Sequence, residues 1–137
     1  MRKSLIAAIT GLVAALAVAG IAAGGKGSSS LSLVVLGSGS VTTAAATAPS
    51  FGGQITFDVS TTQTNRPSVN VLCYRDGAWV YDGWQSFWAG AATHDPIFTL
   101  SSNYWTGGAA DCTARLVYYD QRGLLKTLTS LDFHVNA

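Results

Sequence analysis

The sequence predicts an all-β domain that folds as a two-sheet antiparallel β-sandwich of about seven strands. Apolar and polar residues alternate with a period of two in several runs after residue 30, which is the signature of half-buried strands. Turn-forming residues separate these runs at intervals of roughly ten residues, a spacing typical of sandwiches. The same region contains no run with the 3.6-residue period of an amphipathic helix.

The predicted strands differ in how clearly they alternate. QITFDVST (54–61), SVNVLCYR (68–75) and CTARLVYY (112–119) are the most regular. Further strands are predicted over residues 31–36, over IFTLSS (97–102) after Pro96, and over the last run, which ends at Val135. The residues predicted to point into the core are Ile55, Phe57, Val59, Val71, Leu116, Phe133 and Val135.

A tight hairpin is predicted at Asp76-Gly77. The pair separates the run 68–75 from the run 78–81. A type I′ turn needs positive φ at both central positions, and Asp-Gly is among the pairs that supply it most readily. The segment WQSFWAG (84–90), which follows shortly after, is compatible with either a strand or a loop.

The N-terminus has the pattern of an export signal. Arg2 and Lys3 precede an apolar run, and a cleavage site is expected near Ala22 or Ala23. We assign residues 1–23 to a signal peptide, residues 24–30 (GGKGSSS) to a flexible tether and residues 31–137 to the sandwich. The protein is therefore expected to be secreted, with no membrane segment in its mature form. The competing interpretation is an uncleaved anchor, since the apolar run is long enough to span a membrane.

Two cysteines, Cys73 and Cys112, follow the signal. An even number of cysteines outside the cytosol predicts a disulfide. The alternative is a metal-binding or catalytic thiol. A metal site needs further ligands at ordered spacing, and the chain has only two histidines. We therefore expect a structural disulfide and no metal.

The charge of the chain limits its partners. Charged residues make up 11% of the sequence, well below the roughly 25% of an average soluble domain. Removal of Arg2 and Lys3 with the signal changes the formal net charge from +1 to −1. No basic patch remains, so nucleic acid and anionic membrane surfaces are not expected partners.

No set of residues predicts catalysis, and we expect neither an enzyme nor a cofactor. His94 stands beside Asp95, but neighbours in sequence rarely have the geometry of a catalytic triad. His134 alternates outward on the last strand. The chain has seven Asp and no Glu, without the spacing of a calcium loop. Neither a GxSxG nucleophile elbow nor a phosphate-binding glycine loop is present.

Aromatic residues concentrate between residues 74 and 105. Exposed Trp and Tyr rings stack on sugars and contribute strongly to protein interfaces, whereas buried rings fill the core of a small domain. We predict that Trp84 belongs to the core and that Trp79, Trp88 and Trp105 lie on the surface. The predicted binding residues are Trp79, Trp88, Trp105, Tyr81 and Tyr104.

The assembled pattern resembles an immunoglobulin-like sandwich. It departs from antibody-type domains because Ala110 stands two residues before Cys112, where a tyrosine is typical, and because the first cysteine lies on the third strand. Four segments are more closely similar to a family of small secreted bacterial proteins of unknown function: QITFDVSTT (54–62), VNVLCYRDG (69–77), FTLSSNYWTGGAADCTARLVYY (98–119) and LDFHVNA (131–137). This resemblance implies the immunoglobulin-like fold and brings no functional residues with it.

Three functions remain in competition. The first is a non-catalytic extracellular binding or adhesion module, whose partner is a polysaccharide, the cell envelope or another protein. The second is a structural subunit that assembles with itself through edge strands such as residues 31–36. The third is a hydrolase whose site gathers Asp82, His94 and Asp95. An accessible strip of aromatic residues would favour the first.

Overall fold

The structure is a computed structural model that describes residues 27–37, 40–41, 48–91 and 96–137. These residues form β-strands and no helix, so none of them belongs to an apolar helix long enough to cross a membrane. The strands are β1 (Ser29–Gly37), β2 (Ser40–Val41), β3 (Gln54–Thr61), β4 (Ser68–Arg75), β5 (Ala78–Ser86), β6 (Phe98–Thr99), β7 (Ala110–Tyr119) and β8 (Leu125–Val135). The predicted signal peptide lies outside the described residues.

The strands form two antiparallel sheets, as predicted. Sheet I has the order β2-β1-β3-β6, and sheet II has the order β5-β4-β7-β8. Strand β1 begins two residues earlier than the sequence predicted, because Ser29 and Ser30 pair with Thr61 and Ser60 on β3. Ser29 and Ser30, which the sequence assigned to the tether, therefore belong to β1.

The hairpin between β4 and β5 confirms the turn prediction. Asp76 has φ 52° and Gly77 has φ 78°, the left-handed conformation that both central positions of a type I′ turn require. The sequence left the segment 84–90 open, and it is a strand as far as Ser86. Strand β5 pairs with β4 from Ala78 to Ser86, apart from a bulge at Val80 that places Trp79 on the same side of the sheet as Trp84.

The strand predicted after Pro96 is much shorter than expected. Only Phe98 and Thr99 pair with β3. The chain then enters a turn in which the Trp105 amide donates to the Ser102 carbonyl, 3.2 Å away. This turn carries the next aromatic residues away from the ladder, so the alternation in IFTLSS does not continue as pairing.

The core lies between the two sheets. Among the residues predicted to point inward, Val59 and Phe133 are half-buried against the core cluster, and the others are buried within it. Phe57 on β3 contacts Phe98, with ring centroids 5.6 Å apart, and reaches across to Phe133 on β8 at 6.4 Å. Both contacts are edge-to-face. The contact with Phe98 lies within sheet I, and the contact with Phe133 joins the two sheets.

The predicted disulfide forms between Cys73 on β4 and Cys112 on β7. The two residues are directly opposite each other in the antiparallel register, and both are buried. The bond therefore joins neighbouring strands of sheet II on its inner side. It does not connect the two sheets.

Candidate functional site

The outward side of sheet II carries most of the exposed aromatic side chains that the structure describes. Val71 and Cys73 on β4 point into the core, so the alternating Tyr74 points outward. The register places Trp79 opposite Tyr74, and places Trp84 on the same outward side opposite Asn70. We call the set Tyr74, Trp79, Trp84 and Tyr104 the aromatic face.

The members of the aromatic face are substantially open to solvent. Tyr74, Trp79 and Trp84 are 47%, 44% and 43% exposed, and Tyr104 is 72% exposed. Tyr104 lies in the turn after β6 and packs against Trp79, with ring centroids 5.4 Å apart. Three members are held by paired strands, so the rings are displayed by rigid backbone rather than by loops.

Two of the predicted tryptophan positions are wrong. Trp105, predicted to face water, is 1% exposed: its ring packs against Phe51 and Tyr81, and its Nε1 donates to the Gly108 carbonyl at 3.0 Å. Trp84, predicted to fill the core, faces outward because β5 extends past it in register with β4. A loop residue such as Trp105 has no strand period from which its direction can be predicted.

The remaining predicted binding residues do not gather at one place. Trp79 and Tyr104 are in contact on the aromatic face. Tyr81 is half-buried against the core; its burial, and then the negative charge of Asp82, raise the pKa of its phenol. Trp88 is half-buried beyond the end of β5, where the Arg66 guanidinium lies 5.2 Å from its ring centroid.

A buried polar network underlies the aromatic face, and sequence reasoning missed it. Asn70 points outward yet is 1% exposed. Its Nδ2 donates to Asp82 Oδ1 at 2.6 Å and to the Gly83 carbonyl at 3.1 Å, while its Oδ1 accepts from Arg115 Nη2 at 2.6 Å. The one available signal was an amide inside the apolar run VNVL (69–72), since a buried polar group must find partners.

Charged groups line the rest of the outward side of sheet II. His134 Nδ1 lies 2.7 Å from Asp111 Oδ1, and the Thr113 hydroxyl donates to Asp132 Oδ1 at 2.7 Å. Together with Tyr74 these residues border a shallow depression of about 540 Å³. The Thr113 hydroxyl is thus hydrogen-bonded to a carboxylate, and His134 is paired with Asp111 rather than with this hydroxyl.

The described residues contain no group of three His, Cys, Asp or Glu side chains placed to hold a metal ion. His94 and Asp95, which the hydrolase hypothesis required, lie outside the described residues.

A larger depression, of about 700 Å³, lies at the opposite end of the domain from the Asp76-Gly77 turn. It is bordered by the loop 62–65 and by residues 118–121. The carboxylate there belongs to Asp120, whose Oδ1 accepts from the amides of Arg122 and Leu124 at 2.8 and 3.0 Å. These hydrogen bonds stabilise the turn between β7 and β8. We therefore assign Asp120 a structural role and do not treat the depression as a binding site.

Comparisons with protein-family models, with curated proteins and with solved structures found no match to this chain. The geometry and chemistry of the aromatic face are therefore what indicates a function.

Proposed function

We propose that the chain is an exported, non-catalytic binding module that contacts its partner through the aromatic face. The observation that carries the proposal is the display of Tyr74, Trp79 and Trp84 on one side of a single sheet, with Tyr104 at its margin. Large aromatic side chains left open to water forgo the stabilisation that burial would provide. A binding partner that covers them recovers it.

The geometry favours binding over catalysis. Trp and Tyr are the residues most enriched among binding hot spots, because they bury a large area with few rotatable bonds. Strands hold their side chains more precisely than loops do. An open sheet side also suits a flat or extended partner, such as a polysaccharide chain, the cell envelope or a protein surface.

We also propose that the sandwich is immunoglobulin-like. Seven of the strands, taken in chain order without β2, fall into the groups β1-β3-β6 and β5-β4-β7-β8. If they are labelled A, B, C, C′, E, F and G, one sheet contains A, B and E, and the other contains C′, C, F and G. This grouping supports the proposal, because immunoglobulin-type sandwiches divide their strands in a similar way.

Export of the mature domain is part of the same proposal. The pattern of residues 1–23 supports it, with basic residues, an apolar run and small residues in that order. The Cys73–Cys112 disulfide agrees with it, since such bonds persist in oxidising compartments. The N-terminal amino acid of the protein recovered from the medium of an exporting host would locate the cleavage site.

The test is retention on solid supports. The purified chain is incubated with cellulose, chitin, peptidoglycan and envelope fragments, alongside Trp79→Ala and Trp84→Ala. Tyr119→Ala is the matched control, because Tyr119 is 66% exposed but lies at the far end of β7. We expect each tryptophan substitution to weaken retention roughly thirtyfold, the effect of losing a hot spot of about 2 kcal/mol, while the control binds like the wild type.

Two results would contradict the proposal. One is a partner that both tryptophan variants retain as well as the wild type does. The other is an absence of retention on every support together with large self-assembled species in solution. The second result would favour the structural-subunit hypothesis, to which the uncharged β1 strand is suited.

A further inference from the structure

We propose that Trp84, Asp82 and Arg115 form a subsite for one sugar ring of a neutral polysaccharide. The inference rests on the proposed function and assigns the ligand class to one part of the aromatic face. We call these three residues the Trp84 subsite. Trp84 and Asp82 lie two positions apart on β5 and point to the same side, roughly 7 Å apart along the strand. Arg115 enters from β7.

The three side chains surround Asn70. In the register of sheet II, Trp84 and Arg115 lie on either side of Asn70, on the two strands that flank β4. An outward-facing side chain that is only 1% exposed must be covered by its neighbours, and these two are long enough to cover it. The subsite is therefore a contiguous patch with a polar residue sealed beneath it.

Asn70 acts as a positioning residue. Both of its polar atoms are occupied: Nδ2 donates to Asp82 Oδ1 and to the Gly83 carbonyl, and Oδ1 accepts from Arg115. The amide has no remaining role toward a ligand. Instead it holds a carboxylate and a guanidinium at fixed places beside an exposed indole, so that little side-chain freedom is lost when a ligand binds.

The carboxylate and the guanidinium keep unused hydrogen-bonding capacity. Within the described residues, the hydrogen bond of Asp82 uses Oδ1, which leaves Oδ2 as an acceptor. The Nε–H of Arg115 is buried with no partner in the described structure. Because this atom is sealed from solvent, a ligand would meet the outer nitrogens of the guanidinium instead, of which Nη2 donates to Asn70 and Nη1 has no hydrogen bond to any residue that the structure describes.

This combination matches a pyranose ring. Such a ring has an apolar C–H side that packs on an indole and a rim of hydroxyls that both donate and accept hydrogen bonds. Asp82 would accept from hydroxyls and Arg115 would donate to them. The formal charges of these two residues cancel, which favours a neutral ligand over an ionic one.

The wider charge of sheet II argues against an acidic polymer. Asp111 and Asp132 add negative charge to the same outward side, and like charges across an interface suppress binding. Trp79 lies five residues from Trp84 along β5, roughly 16 Å at the usual strand rise. An extended polysaccharide would touch both indoles, whereas a monosaccharide would reach one.

The test measures the binding of soluble neutral oligosaccharides to the purified chain by titration calorimetry. The probes are the hexasaccharides of cellulose, xylan, mannan and chitin. The variants are Trp84→Ala and Asp82→Ala, and the matched control is Asp132→Ala. Asp132 is also an exposed carboxylate on the outward side of sheet II, but it accepts a hydrogen bond from Thr113 and does not belong to the Trp84 subsite. We expect one of the probes to bind. Its affinity should fall at least tenfold in Trp84→Ala and in Asp82→Ala, and change less than twofold in Asp132→Ala.

The possible results separate this inference from the proposed function. Sugar binding that is lost in Trp79→Ala but unchanged in Trp84→Ala and Asp82→Ala would overturn the subsite and leave the binding module intact. Retention of an envelope protein through Trp84, with no sugar bound, would overturn the ligand class only. If neither tryptophan substitution changes binding to any support or probe, both proposals fail.

Discussion

Removal of the Cys73–Cys112 disulfide should destabilise the domain by several kcal/mol, although the bond joins strands that are already paired. Strands β4 and β7 keep the same ladder with or without the cross-link, because Cys73 and Cys112 face each other within a continuous register. The native state therefore loses little when the bond is absent. The effect falls mainly on the unfolded chain, which gains conformational freedom.

The magnitude follows from the size of the closed loop. The cysteines are 39 positions apart, and the loop-closure relation gives about 4 kcal/mol at 25 °C for a loop of that length. This corresponds to about a thousandfold change in the folding equilibrium constant. Small domains have a free energy of unfolding of only about 5–15 kcal/mol, so the disulfide would supply a large part of the stability.

The assay is urea unfolding followed by tryptophan fluorescence, for which the buried Trp105 is a suitable reporter. Wild type is measured with and without reductant, next to the double variant Cys73→Ala, Cys112→Ala. Reductant should lower the free energy of unfolding of the wild type by about 4 kcal/mol, and it should leave the double variant unchanged. Because both sulfurs are buried, reduction should be slow in native buffer and fast in urea.

A loss of less than about 1 kcal/mol in the double variant would refute the reasoning. The unfolded chain would then have to remain compact around this loop for some other reason. A wild type that reacts with a thiol reagent after unfolding without reductant would contradict the disulfide itself.

The other predictions concern single side chains. Trp105→Ala should lower the free energy of unfolding by about 3–5 kcal/mol, as expected for a buried aromatic residue, whereas Trp84→Ala should cost about 1 kcal/mol or less because its ring is largely outside the core. Urea unfolding of both variants checks this, and the opposite order would show that their assigned positions are exchanged. For Tyr81, burial and the adjacent carboxylate raise the pKa of the phenol, so the folded state favours the neutral form. The stability gained from the neutral phenol is complete below the unfolded pKa of about 10 and declines as the pH rises toward the folded pKa. Between pH 9 and pH 11, the free energy of unfolding of Tyr81→Phe should therefore fall less than that of the wild type. Urea unfolding at a series of pH values checks this, and the same fall in both proteins would contradict it.

Much of the fold could be predicted because strand alternation is a local property. The runs 54–61 and 68–75 coincide with β3 and β4 at both ends, and Phe57 and Val71 point inward as their positions in those runs require. The Asp76-Gly77 turn was equally predictable, since a left-handed backbone at two successive residues demands particular residue types. In each case, the local structure is determined by residues only a few positions apart in the sequence.

The errors occur where partners distant in sequence decide the outcome. Trp105 has no strand period, and its burial depends on Phe51 and Tyr81 closing around it. Trp84 faces outward because β5 continues in register with β4, a choice made by pairing rather than by the segment itself. Local propensity is weaker than such tertiary contacts for aromatic residues in short segments.

The sequence by itself determined the all-β class, the alternating core positions, the hairpin turn and the pairing of the only two cysteines. Tertiary structure alone decided which tryptophans face water, and it brought Asn70 together with Asp82 and Arg115, residues from three different strands. The physical reason is the separation along the chain of the residues that interact. Backbone conformation and strand period are set by neighbours along the chain, whereas a binding surface is assembled by sheet register, which brings together side chains up to 45 positions apart.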